Sequence, residues 1–111
     1  MMSDWIDVAR VDEFKPGEIR VIDVNDVMVA VFNIDGEYFA IENQCTHDGS
    51  ELIMDGLNPA DQINNDRVVC PHHGAEFCIR TGAVLSPPAY EDIATFPVRV
   101  EHGTVQVMAV D

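Results

Sequence analysis

Two short segments restrict this chain more than any other feature: Cys45-Thr46-His47-Asp48-Gly49 and Cys70-Pro71-His72-His73-Gly74. Each joins one thiol to an imidazole within two or three residues, and each carries a glycine that lets the backbone turn sharply near a bound group. In Cys-x-His an extended chain presents both side chains on one side, and Cys-x-x-His permits a tight turn on which both converge. Together the segments offer four soft or borderline donors, Cys45, His47, Cys70 and His73, a set suited to iron–sulfur chemistry or to zinc. Zinc modules more often open with two cysteines two to four residues apart. A mixed Cys/His pair in each segment fits a binuclear centre with one metal on sulfur and the other on nitrogen. A structural zinc site on the same four residues is the competing reading. His72 adjoins a donor, but Cys-x-x-His selects His73.

The flanking sequence is a series of short valine- and isoleucine-rich runs with turn residues between them. Residues 4–9, 18–24, 27–34, 38–41, 67–70, 75–80, 96–101 and 104–110 read as strands. Asp35-Gly36 and His102-Gly103 are hairpin turns, and Trp5 is the expected core anchor of the first strand. Residues 54–66 are polar and turn-rich and read as a loop; a short helix is possible at 10–15 or 88–93. This pattern predicts one all-β domain, a sandwich or small barrel, and 111 residues suffice for one domain only. Cys78 lies on a strand and reads as a buried thiol rather than a ligand. His102 reads as a solvated turn residue.

Charge narrows the partners. The chain holds 20 acidic and 6 basic side chains, a net charge of −14, which repels nucleic acid and anionic lipid. It would attract a partner with a basic docking patch, with Asp48, Glu51 and Glu76 near the donor segments, although an acidic surface also serves solubility alone. The opening Met-Met-Ser-Asp-Trp-Ile-Asp has neither the basic patch nor the apolar run of a signal peptide, and no stretch nears the roughly 18 apolar residues of a membrane span. A cytoplasmic protein is expected, and its three cysteines are then not a disulfide framework.

The paired pattern C-x-H…C-x-x-H resembles the Rieske family, and within it the small ferredoxins of bacterial aromatic-ring-hydroxylating dioxygenase systems. The resemblance runs from the strands before Cys45 to the final hairpin. It implies a Rieske-like antiparallel β-sandwich over residues 1–111, with a small cluster-binding subdomain at about 43–88. It also implies one [2Fe–2S] cluster, with Cys45 and Cys70 on one iron and His47 and His73 on the other, covered by the proline loop Ser86-Pro87-Pro88-Ala89. Glu76 to Gly82 resembles the strand and turn after the second ligand loop. The implied role is a one-electron carrier between a flavin-containing NAD(P)H reductase and a terminal oxygenase. A Rieske small subunit of another redox enzyme, such as an assimilatory nitrite reductase, shares the chemistry with a different partner. A ferredoxin for cluster assembly or for a monooxygenase is a further alternative. From another class, a structural zinc-binding interaction module remains.

Rieske members of respiratory and photosynthetic complexes carry an additional cysteine in each ligand loop, joined as a disulfide. They also have a serine and a tyrosine whose hydroxyls donate to the cluster. The corresponding positions here are Ser50 and His72, and Ala75 and Phe77. Hydrogen bonds to the cluster sulfurs raise the potential, so the expected value lies at the low end of the Rieske range, about −150 mV. With His47 and His73 as ligands, only His72 and His102 remain, too few for the two histidines and carboxylate of a mononuclear iron site on a substantial scaffold. No G-x-G-x-x-G fingerprint occurs. The chain is therefore expected to carry electrons, and not to oxidise NADH or activate oxygen by itself.

Overall fold

Three two-residue turns organise most of the chain. Asn25 and Asp26 (φ 52° and 69°), Asp35 and Gly36 (53° and 92°), and His102 and Gly103 (52° and 77°) all adopt left-handed backbone, the geometry whose twist matches paired strands. The first two join β2 (Ile19–Val24), β3 (Val27–Ile34) and β4 (Glu37–Glu42); the third joins β10 (Val98–Glu101) to β11 (Thr104–Ala109). The computed structural model describes residues 4–46, 49, 51–53, 59–71, 74–87 and 89–109. The other strands there are β1 (Asp4–Arg10), β5 (Ile63–Asn64), β6 (Arg67–Val69), β7 (Glu76–Cys78), β8 (Val84–Ser86) and β9 (Thr95–Phe96), with one α-helical turn, α1 (Pro59–Gln62).

The strands form three antiparallel sheets, ordered β1-β11-β10, β2-β3-β4-β9 and β5-β6-β7-β8. The middle sheet is packed on both faces. Val29 and Val31 face a core shared with Phe14, Val105 and Val107. Ala30, Phe32 and Ile34 face a second core with Leu52, Val68, Phe77 and Ile79. This explains why β3 is almost uniformly apolar: a strand covered on both faces has no polar side to alternate with. Filling each core with fully buried Val and Phe side chains stabilises the fold by about 1.5–3 kcal/mol per residue.

Pro97 lies where the chain changes sheets. Phe96 and Thr95 pair with Ala40 and Ile41 of β4, and Val98 pairs with Val107 of β11. Proline has no N–H for a ladder, but its carbonyl accepts from Met108 N at 2.9 Å.

The structure bears out the all-β reading and corrects several details. Trp5 is only half-buried; the Arg99 guanidinium lies 4.2 Å from its ring centroid. Ile6, Val8 and Ala9 pack against the core instead, because a bulge between Asp7 and Ala9 breaks the alternation and turns two successive residues inward. Residues 59–64, read as loop, contain α1 and β5. The strand β8 was not anticipated. Residues 89–93 form no helix, and Val11–Glu13 make a single 3-10 turn. No helix of the described residues is long and apolar enough to cross a membrane.

Candidate metal centre

Cys45 follows β4 and Cys70 follows β6, and each cysteine is joined to its glycine by the same kind of bond. The Gly49 N–H donates to the Cys45 carbonyl at 2.8 Å and the Gly74 N–H to the Cys70 carbonyl at 3.0 Å. Both glycines have left-handed φ, 80° and 79°, which lets each five-residue segment close on that bond without strain. Cys78 to Gly82 repeats the turn, with the Gly82 N–H on the Cys78 carbonyl at 2.7 Å.

Both cysteines belong to the core between the middle and third sheets, with 0% of Cys45 and 1% of Cys70 exposed, and Ala75, Phe77 and Ala89 belong to the same core. As metal ligands, two sulfurs so enclosed would carry negative charge that needs a compensating cation, and iron–sulfur ligation would supply one, so the donors present fit a cluster. The cysteines are not disulfide-bonded. His47 and His73 lie outside the described residues, as do Asp48, Ser50, His72 and Pro88.

Three polar side chains that the sequence did not single out hold the first segment. Asn43, 4% exposed, donates from Nδ2 to the Ile53 carbonyl at 3.1 Å and accepts the Ile53 N–H on Oδ1 at 2.7 Å. That reciprocal pair closes the loop containing Cys45. Gln62 of α1 donates to the Leu52 carbonyl, and the Thr46 hydroxyl donates to the Glu91 carbonyl at 2.8 Å. The available signal was a polar residue, Asn43, directly between an apolar strand and a cysteine: buried amides persist where they complete a hydrogen-bond set. The second segment is a hairpin, closed by Cys70 N–H on the Ala75 carbonyl at 2.7 Å. The Glu76 N–H reaches the Ser86 hydroxyl at 3.1 Å.

Ala75 and Phe77, both fully buried beside the cysteines, bring no hydroxyl into this core. Arg67 and Arg80 are the basic residues of 43–88. Arg67 pairs with Glu76 at 3.5 Å, and Arg80 pairs with Glu37 at 3.2 Å and Asp66 at 3.5 Å, so carboxylates offset both. Cys78 is half-buried rather than buried, because its turn reaches the surface at Arg80 and Thr81. Burial pushes its thiol pKa up, but hydrogen bonds from the Thr81 hydroxyl and from the Thr81 and Arg80 backbone outweigh this and hold it below the ordinary value. His102 is solvated, with 91% of its side chain exposed.

Comparison with known proteins agrees with this geometry. The Rieske [2Fe-2S] domain family matches residues 4–97. The chain is 41% identical over 97 residues to the biphenyl dioxygenase ferredoxin subunit of Pseudomonas sp. strain KKS102, covering 87% of this chain and 84% of that one. It is 33% identical over 107 residues to the ferredoxin component of the naphthalene 1,2-dioxygenase/salicylate 5-hydroxylase systems of a Ralstonia species, covering 96% and 97%. Among solved structures it is similar to a chain in the complex of reduced oxygenase and oxidized ferredoxin of carbazole 1,9a-dioxygenase, with TM-score 0.82, 30% identity, and 95% and 93% of the two chains covered. It is also similar to the Sphingomonas yanoikuyae B1 ferredoxin, with TM-score 0.78, 32% identity, and 94% and 97% covered. The chain belongs to the Rieske [2Fe-2S] domain family. It is a Rieske ferredoxin with one [2Fe–2S] cluster, an electron carrier rather than a catalytic subunit.

Proposed function

We propose that Cys45 and Cys70 bind one iron and His47 and His73 the other, and that the chain carries single electrons from a flavin-containing NAD(P)H reductase to a terminal ring-hydroxylating oxygenase in aromatic catabolism. The observation that carries this reading is the pair of buried thiols, each opening the same glycine-closed turn in one core. When bound, the cluster supplies a site that accepts and releases one electron. The chain's part is to enclose the thiolates, exclude water and fix the loops through Asn43, Gln62 and Thr46. The charge of −14 selects partners with basic docking faces.

The cytoplasm is the compartment of such a chain. Residues 1–111 act as a single Rieske domain, and 43–88 as its cluster-binding subdomain. Supporting that division, β4 and β9 pair directly through Ile41 and Thr95, so the intervening chain, with its own sheet β5-β6-β7-β8, is an insertion between neighbouring strands.

The test is reconstitution: holoprotein, NADH, and the reductase and oxygenase of the biphenyl dioxygenase system. Product should form only when all the components are present. His47→Ala and His73→Ala should abolish turnover, while His72→Ala should retain it. No product with this chain under conditions where the biphenyl ferredoxin works would overturn the assignment to an oxygenase.

A further inference from the structure

The face beside Cys45 carries an exposed aromatic ring on a loop that is fixed on both sides. Tyr90 is 81% exposed, whereas its neighbour Ala89 is 2% exposed and packs in the core that contains Cys45 and Cys70. On the other side, the Glu91 carbonyl accepts from the Thr46 hydroxyl, directly after Cys45 in the chain. The Val84 N–H donates to the Asp92 carboxylate at 2.9 Å, tying the loop to β8. Between them lies a shallow hollow lined by Val84, Leu85, Ser86, Pro87, Ala89 and Tyr90, with Leu85 itself 43% exposed.

An exposed tyrosine offers apolar ring surface to bury and a hydroxyl that can stay hydrated, which suits it to anchor an interface. Tyrosines beside a small apolar hollow are typical binding hot spots, and a fixed loop loses little conformational freedom on binding. The charge around the ring defines the partner. No lysine or arginine occurs between Arg80 and Arg99, while Glu91 and Asp92 adjoin Tyr90, both exposed.

The geometry points to Tyr90 and the Leu85–Pro87 hollow as the apolar anchor by which this chain docks on its terminal oxygenase. The matching oxygenase surface presents an apolar side chain for the hollow and lysines or arginines for Glu91 and Asp92. This rests on the electron-carrier reading above and adds to it which residues make the contact. Docking there brings the partner against the loop that Thr46 fixes, beside the first proposed thiolate ligand.

The test uses reduced holoprotein mixed with oxidised oxygenase of the biphenyl dioxygenase system in a stopped-flow instrument, across a range of concentrations. Tyr90→Ala should raise the half-saturating concentration about tenfold, equivalent to about 1.4 kcal/mol, with the limiting rate and the reduction potential unchanged. Leu85→Ser should act in the same direction, and Val100→Ala, an exposed apolar change on β10, should have no effect. Wild-type saturation kinetics retained in both Tyr90→Ala and Leu85→Ser would overturn the anchor while leaving the carrier reading intact. A wild-type dimer in sedimentation that Tyr90→Ala dissolves, with oxygenase kinetics unchanged, would assign the patch to self-association and overturn the proposal. If wild-type protein fails to reduce the oxygenase at any concentration, the carrier reading falls first and the anchor with it.

Discussion

Replacing Gly82 with alanine tests how the third sheet is fastened to the rest of the molecule. Gly82 has φ +79°, and a Cβ there would lie 2.3 Å from the Ile93 carbonyl oxygen and 2.9 Å from Thr95 Cγ2. Gly103 has nearly the same φ, +77°, with nothing within 4 Å of its Cβ direction. Left-handed backbone costs alanine about 1–2 kcal/mol at either site, so Gly103→Ala isolates the conformational part. At Gly82 the backbone must also move, which strains the Gly82 N–H bond to Cys78 and the Ile93 N–H bond to Gly82, at 2.7 and 2.8 Å. Each such bond contributes about 1 kcal/mol. Gly82→Ala should therefore cost about 3–4 kcal/mol, against about 1–2 for Gly103→Ala. For a domain of this size 1 kcal/mol shifts the midpoint by about 4–8 °C. The midpoint of thermal bleaching of the cluster absorbance at one fixed scan rate should fall by about 12–30 °C for Gly82→Ala and by about a third to a half as much for Gly103→Ala. Equal shifts in the two variants would refute the steric reasoning.

Other perturbations probe the site directly. Ala75→Ser places a hydroxyl in the cysteine core; a hydrogen bond favouring the reduced state by about 1 kcal/mol raises the potential by about 40 mV, measurable by protein-film voltammetry, whereas wild type should lie near −150 mV. Delivery of electrons to the oxygenase should fall about tenfold between roughly 0.01 and 0.5 M salt as screening shortens; a flat profile would restrict the acids to solubility. In the holoprotein the alkylation of Cys78 by iodoacetamide should reach half its maximal rate at a lower pH than in an unfolded peptide carrying the same cysteine, because its folded pKa is lowered and thiolate persists to lower pH. Thr81→Ala should move that midpoint upward, and mass spectrometry of the labelled peptide reports it.

Much of this architecture was legible because turn chemistry and strand period agreed. The bounds of β3 coincide with the predicted run 27–34, since Asp35-Gly36 supplies the turn and the unbroken apolar run marks a strand buried on both faces. The segments β5, β8 and α1, with two, three and four residues, were too short to show a period; contacts with β6, β7 and Leu52 create them. The sequence placed Trp5 in the core, but its neighbour Ile6 takes the core face and strand alternation leaves Trp5 on the other side. At the site, the Cys/His spacing made the donors readable. The clamps Asn43–Ile53 and Thr46–Glu91 were not, because a side-chain bond to a backbone carbonyl 10 or 45 residues away in the chain leaves no trace in spacing. Cys78, read as buried, reaches the surface because its turn ends at Arg80 and Thr81.

The central claim is a mixed-ligand [2Fe–2S] centre on Cys45, His47, Cys70 and His73. Its most direct test is the visible absorption and low-temperature EPR spectrum of the purified protein before and after dithionite, with iron, sulfide and zinc measured on the same sample. The account predicts a brown protein with two irons and two sulfides per chain, and a reduced form with a rhombic signal of low average g. A colourless protein with stoichiometric zinc after anaerobic purification would contradict it.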